Sequence, residues 1–332
     1  MGTPRSATAE ASPNIALVKY WGNADDELRI PSNGSISMTL GGLSTVTRVT
    51  FEPDLGEDLL LIGGHPAHPP ALDRVSRHLD LIRERGGVSA RARVESNNNF
   101  PSGAGIASSA SAFAALTLAA LAAAGIESDT ASLSRLARRG SGSACRSILG
   151  GYVEWQAGGT DAASFATQLA VADHWALVDL VAVVSRTPKP IGSTDGHRLA
   201  GTSPLQPARV ADTPRRLALC RQAILQRDFE ALAAVVELDS QMMHAVMMTS
   251  SPPLHYWQPS TLAILQAVAD WRRAGAGVCA TIDAGPNVHC LCAPGEASGI
   301  ETRLRAVPGL EGVLTCPPGG AAHLLPDRAV SG

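Results

Sequence analysis

Charge and aromatic side chains are scarce in this chain: charged residues make up 17% and aromatic ones 4% of 332 residues, against 45% apolar. That apolar share is globular and excludes a largely disordered polypeptide. A formal charge of −3 leaves no basic stripe, so neither nucleic acid nor an anionic membrane is expected as a partner. Any phosphate must be held locally, by a few cations and main-chain amides. The six cysteines (145, 220, 279, 290, 292 and 316) show no CxxC pair, and the nine histidines no HxxxH or HxxE spacing. Buried free thiols and no metal site are expected. The first fourteen residues lack the apolar core of a signal peptide. One apolar run, Ala107 to Ile126, is mostly alanine with interspersed serine and threonine. It reads as a buried helix rather than a bilayer span. A soluble, cytoplasmic protein is expected.

What is present organises as mixed helices and strands, without repeats. "STVTRVTFEP" (44–53), "DLLLIGG" (58–64) and "VSARARVESN" (88–97) have strand character, and "LDRVSRHLDLIRERGG" (72–87) has helical spacing closed by glycine. The alanine-rich helix is followed by a shorter one at 130–139, then by a glycine-serine loop leading through a helical turn to a strand (140–155). "LVDLVAVVS" (177–185) reads as a buried strand. The Pro/Gly-rich stretch after it marks a boundary near residue 186. Beyond it, helices are predicted near 212–225, 228–248 and 258–275, with strands at 278–282 and 287–292. The pattern predicts an α+β fold of two domains, 1–186 and 187–332, with a cleft between them.

Three stretches could carry chemistry. In "FPSGAGIASSASAF" (100–113), glycines and a proline precede a helix whose first turn holds Ser108 and Ser109. Unpaired N–H groups there receive phosphate, and glycines let the backbone approach it. Gly103-x-Gly105 is half of a dinucleotide fingerprint, but Ser108 takes the third glycine's place and no acid closes a following strand. A Walker lysine is also lacking. In "RRGSGSACRS" (138–147), Arg146 closes a donor-rich loop with a planar fork suited to carboxylate or phosphate. In "TIDAGPN" (281–287), Asp283 leaves a strand where it can orient a hydroxyl. Taken singly, each stretch is equally read as a capped helix, a surface turn and a turn-forming aspartate.

Taken together and in this order, the chain resembles the mevalonate diphosphate decarboxylases of the GHMP kinase superfamily. The stretches that carry the resemblance are "NIALVKYWG" (14–22), "IPSNGSISMTL" (30–40), "NNFPSGAGIASSASAFAAL" (98–116), "RRGSGSACRSILGGYVEW" (138–155), "DSQMMHAVMMTSSPP" (239–253) and "DAGPN" (283–287). "VVS…KPIGSTDG" (183–196) belongs with them. "GSGSACRS" and "DAGPN" are specific to the decarboxylase branch.

The resemblance implies a ribosomal-S5-like N-terminal domain, a ferredoxin-like C-terminal domain, and a homodimer. It also implies ATP with Mg²⁺ and a 5-phosphorylated mevalonate, whose tertiary 3-hydroxyl is phosphorylated before phosphate and CO₂ leave. By position, Asp283 would orient that hydroxyl and accept its proton late, and Lys19 would stabilise developing negative charge. Arg146 would grip the substrate carboxylate with help from Asn14. Tyr20, Trp21, Gly22, Asn23, the loop Ser141–Gly142–Ser143–Ala144–Cys145 and Thr194 would surround the 5-phosphoryl end. Asn98, Ser102, Gly103, Gly105, Ser108 and Ser109 would meet the nucleotide. Arg74, with Arg77 beside it, is a candidate for the phosphoryl end.

One departure bears on the substrate. Family members that take the diphosphate typically read "KYWGK", whereas this chain has Asn23 at the last position. Losing a charge-assisted hydrogen bond removes about 1–2 kcal/mol of diphosphate preference. The expectation is therefore a mevalonate 5-phosphate decarboxylase giving isopentenyl phosphate. The alternatives are the diphosphate enzyme, a 3-hydroxyl kinase without decarboxylation, and a non-catalytic nucleotide-binding module.

Overall fold

The structure is a computed structural model that describes residues 5–101, 107–187 and 191–326. The strands of the first half are β1 (Arg5–Ala11), β2 (Asn14–Val18), β3 (Asn23–Asp25), β4 (Ile30–Pro31), β5 (Ser35–Thr39), β6 (Thr45–Glu52), β7 (Leu59–Ile62), β8 (His65–Pro66), β9 (Arg91–Asn98), β10 (Tyr152–Trp155) and β11 (Ala166–Ala170). Then come β12 (Val178–Val183), β13 (Val278–Thr281), β14 (Val288–Cys292), β15 (Gly312–Cys316) and β16 (His323–Leu325). The helices are α1 (Pro69–Gly86), α2 (Ser108–Ala124), α3 (Thr130–Gly140), α4 (Ala144–Ser147), α5 (Ser193–Leu199), α6 (Gln206–Gln226), α7 (Phe229–Met248), α8 (Pro259–Arg273) and α9 (Pro294–Arg305).

Three sheets organise the molecule, with orders β16-β1-β6-β9-β7-β8, β11-β10-β5-β2 and β13-β14-β12-β15, beside the small β3–β4 ribbon. The first sheet packs against α2, which is buried nearly all round. Alanine makes that possible, since a helix without large side chains can lie close to strands and to α3 and α4 at once. No described helix is long and apolar enough to cross a membrane. Alternating residues of β6 face this core, while β2 and β5 are buried throughout, in a sheet that packs against helices α6 and α7. All six cysteines are free and buried.

The third sheet draws β12 into pairing with β14 and β15. β12 lies before the boundary read near residue 186, yet its described partners all lie after it. At the far end of the chain, β16 returns to pair with β1. Strands β2 and β13 end close together where these layers meet, and the chemistry-bearing residues follow each of them.

Candidate active site

Lys19 leaves β2 just after a register irregularity between Ala16 and Val18, which turns the strand away from ladder pairing. Asp283 leaves β13 in a tight turn, with the Gly285 N–H donating to the Asp283 carbonyl at 2.7 Å. Asn287 fastens that loop to the end of β12 by accepting the Val184 and Ser185 N–H groups at 2.8 and 3.0 Å. The two sites lie 264 residues apart in sequence, yet Lys19 Nζ is 2.6 Å from Asp283 Oδ1. Lys19 is 1% exposed and the aspartate side chain 25%. The buried end of this ion pair is therefore the cation, and the open end is the acid. Burial pushes the Asp283 carboxyl up, but Lys19, His289 and Arg146 outweigh it and hold the group below the usual carboxylate range.

Around this pair lies a cavity of about 90 Å³ lined by Lys19, Tyr20, Trp21, Ser109, Ser143, Arg146 and Asp283. Arg146 enters from α4, almost wholly buried. Its Nε and Nη2 donate to Asn14 Oδ1 at 3.2 and 3.1 Å, and Nη1 donates to Ser35 Oγ at 2.6 Å. Asn14 is in turn fixed by donating to Ser147 Oγ at 2.7 Å and to the Ser143 carbonyl at 3.2 Å. Three of the five guanidinium N–H groups are thus used by these contacts, leaving two to meet a ligand.

Tyr20 stacks on His197 at 4.1 Å and meets Trp155 edge-on at 4.7 Å. Gly142 lies against its ring: a Cβ there would fall 2.5 Å from Tyr20 Cε1. The Tyr20 hydroxyl donates to Asn23 Oδ1, and Asn23 Nδ2 donates to Asp26 at 2.7 Å. Gly22 takes φ +93°, a conformation suited to glycine, and donates its N–H to His197 Nδ1 at 3.0 Å.

Ser109 Oγ and Ser141 Oγ stand 3.1 Å apart, joining the start of α2 to the loop before α4. The residue at the N-cap, Ala107, offers no side-chain acceptor to the first turn of α2. Beside its first turn opens a second cavity of about 220 Å³, where Leu60, Val94 and Phe113 supply apolar walls and Asn98, Ser108 and Ser109 polar ones. Such a lining suits a flat heterocycle with its phosphates directed at the helix start.

Several expected site residues are placed differently. Ala144 and Cys145 are fully buried, packed into the cores on either side of α4, and burial raises the Cys145 thiol to about 12. Both open the helix α4 that follows the loop. Ser193 lines the first cavity, whereas Thr194 beside it is half-buried outside that lining. Ser102, Gly103 and Gly105 lie outside the described residues.

Arg29, Ser193, His197 and Met243 were not singled out from the sequence. The last three line the cavity. Arg29 stands with Arg74 and Arg77 beyond Tyr20. Burial, then the neighbouring Arg29 and Arg77 charges, lower Arg74 to about 10. Among the described residues, all hydrogen bonds from these three side chains go to main-chain carbonyls: Arg29 to Arg139, Arg74 to Gly140, and Arg77 to Asp73. Like charges crowded together without carboxylate partners of this kind form a place for an anion.

Comparison with known proteins identifies the family. Residues 11–166 match the family model of the diphosphomevalonate decarboxylase-like N-terminal domain, and residues 179–307 match that of the mevalonate 5-diphosphate decarboxylase C-terminal domain. The human diphosphomevalonate decarboxylase is 39% identical over 306 residues, spanning 85% of this chain and 75% of its own. The Aspergillus fumigatus enzyme of that name is 36% identical over 91% of this chain and 80% of its own. Among solved structures, the mevalonate diphosphate decarboxylase of Staphylococcus aureus superposes with a TM-score of 0.93 at 35% identity, covering 98% of this chain and 99% of that one. That of Enterococcus faecalis, described for ATP binding mediated by mevalonate diphosphate, gives 0.91 at 35% identity, with 97% and 99% covered. A further structure, a complex with MVAPP, AMPPCP and magnesium, gives 0.92 at 35% identity, with 97% and 99% covered. With its two domain models, its fold and the convergence of residues from both halves, the chain belongs to the mevalonate diphosphate decarboxylase family and is an ATP-dependent carboxy-lyase.

Proposed function

We propose that the chain decarboxylates mevalonate 5-diphosphate at the expense of ATP, giving isopentenyl diphosphate. This reverses the preference read from Asn23. The observation that carries it is the trio Arg29, Arg74 and Arg77, where the outer phosphate would lie: among the described residues none of the three makes a salt bridge to a carboxylate, Asp26 acting on Arg29 only at longer range. The names of the curated relatives support the same reading.

In this reading the adenosine of ATP occupies the cavity beside Asn98, and its phosphates meet Ser108, Ser109 and the start of α2. No group of three His, Cys, Asp or Glu side chains that could hold a metal occurs among the described residues. Mg²⁺ bound with ATP would offset charge on the phosphates, with the Ser108 and Ser109 hydroxyls as candidate protein oxygens beside them. Asp283 aligns the substrate 3-hydroxyl with the γ-phosphorus and takes its proton late in the transfer, as the O–P bond forms and ADP leaves. Lys19 offsets the negative charge gathering there. Arg146, braced by Asn14, holds the carboxylate. The C3–O bond then breaks, phosphate departs, and the electrons of the carboxylate C–C bond form the alkene as CO₂ is released.

Asn23 favours a second reading, the 5-monophosphate, because it is neutral and already bonded to Tyr20 and Asp26. Steady-state CO₂ release with each substrate separates the two. The diphosphate reading predicts at least tenfold higher kcat/KM for the diphosphate; an equal or higher value for the monophosphate overturns it.

A further inference from the structure

Helix α7 carries two adjacent buried polar side chains, Asp239 and Ser240, which the chemistry above leaves unused. Asp239 Oδ1 accepts the main-chain N–H of Lys19 at 2.7 Å, while Oδ2 accepts Arg216 Nε at 2.6 Å. Arg209 Nη2 and Asn33 Nδ2 donate to the Lys19 carbonyl at 2.7 and 2.9 Å. One residue along the helix, Ser240 Oγ accepts the Ile282 N–H at 3.0 Å and lies 3.4 Å from the Ile282 carbonyl. His244 Nε2, a turn later, is 3.4 Å from that same oxygen. Ile282 immediately precedes Asp283. Both main-chain groups lie beyond their strands, so side chains replace ladder partners there.

We propose that Asp239 and Ser240 are positioning residues for the Lys19–Asp283 pair, α7 acting as one rigid gauge that sets how ammonium and carboxylate face each other. The proposal rests on the reading of that pair as the reacting one. Its physical basis is that consecutive residues of a helix are held at fixed separation, so the main chain of Lys19 and of Ile282 cannot drift apart independently. Catalytic groups lose their effect when displaced by an ångström or less. A buried carboxylate between arginines is also weak evidence for a purely stabilising role, since apolar packing serves stability as well.

The test is Ser240→Ala in the full chain, with Ser240→Thr, Asp239→Asn and Asp283→Asn beside it. Ser240→Ala is expected to lower kcat at least tenfold with KM for ATP and for the phosphorylated mevalonate within threefold. The acid limb of kcat should move to higher pH, because a carboxylate less closely met by Lys19 is more readily protonated. The other groups that face Asp283 are Arg146 from α4, His289 from β14 and His244 from α7. None of these is altered by the substitution. Ser240→Thr keeps the hydroxyl at a position that borders a cavity of about 420 Å³ with Trp257 and Ile282. It should recover kcat to within threefold. Asp239→Asn, which keeps one acceptor for two donors, should show the Ala variant's signature and takes its place should that variant fail to fold. A kcat within twofold of the parent, an unmoved acid limb, or a folded Thr variant that fails to recover overturns the proposal. Activity retained by Asp283→Asn overturns the underlying reading of the pair; an inactive Asp283→Asn beside an unchanged Ser240→Ala overturns the positioning role alone.

Discussion

At the residue scale, the site depends on close approaches that leave little tolerance. Gly142 is a case where the side chain's absence is the requirement: the Tyr20 ring occupies the space a methyl would fill, and Trp155 and His197 keep that ring from yielding. Gly142→Ala is predicted to cost about 1–3 kcal/mol of stability from overpacking. It should also raise KM for the phosphorylated mevalonate at least fivefold, as read by denaturant melts and CO₂ release. Lys19, Arg146, Asn14 and Asp283 were legible through the resemblance of their stretches to the mevalonate diphosphate decarboxylases, since taken singly those stretches read as ordinary turns and strands. Arg29 had no such mark: it sits in "DDELRIPSN" like any surface arginine. Its position is set by the β3–β4 ribbon, where it adopts a left-handed φ of 50°. Asp239 was equally unreadable as a partner of Lys19, because the contact spans 220 residues.

At the scale of elements, helices with a clear apolar stripe were legible, and α1, α3 and α7 begin or end within a few residues of where periodicity places them. Of the strands buried on both faces, β12, β13 and β14 were legible from their β-branched and apolar runs, whereas β2 and β5 were not. β2 and β5 show no alternation, and β5 ("SISMT") buries Ser35, whose hydroxyl accepts from Arg146, and Thr39, whose hydroxyl donates to the Leu149 carbonyl. α9 has two buried residues, Ile300 and Leu304, too few to give its sequence a helical signature. β12 was read as a buried strand, but its pairing with β14 and β15 comes from long-range topology that local composition does not encode. The phosphoryl end likewise depends on two elements together: α1 presents Arg74 and Arg77, three apart on one face, towards the Arg29 ribbon. Arg29→Ala is predicted to raise KM for mevalonate 5-diphosphate about tenfold, or ~1.4 kcal/mol, with kcat within threefold. The KM of the parent enzyme should rise with salt more steeply than that of the variant.

At the scale of the whole molecule, each half supplies one partner of the central ion pair, so activity requires the two to be seated together. Acid should loosen that arrangement. Burial holds His78 and His244 neutral, at about 3 and about 4. Unfolded, each titrates near 6.5. Their contribution to stability is therefore complete above pH 6.5 and is lost as pH falls towards those lowered values, on the order of 3–5 kcal/mol each at most. Asp283 adds to this below about pH 4, since its folded form is the more acidic one. Urea midpoints should fall progressively from pH 7 to pH 4. The most direct measurement of the central claim, that Asp283 and Lys19 converge on one hydroxyl, is single-turnover ADP and CO₂ formation by Asp283→Asn. We predict that both products slow together by at least a thousandfold while the phosphorylated mevalonate binds within threefold of the parent; ADP and CO₂ released within tenfold of the parent rate would contradict it.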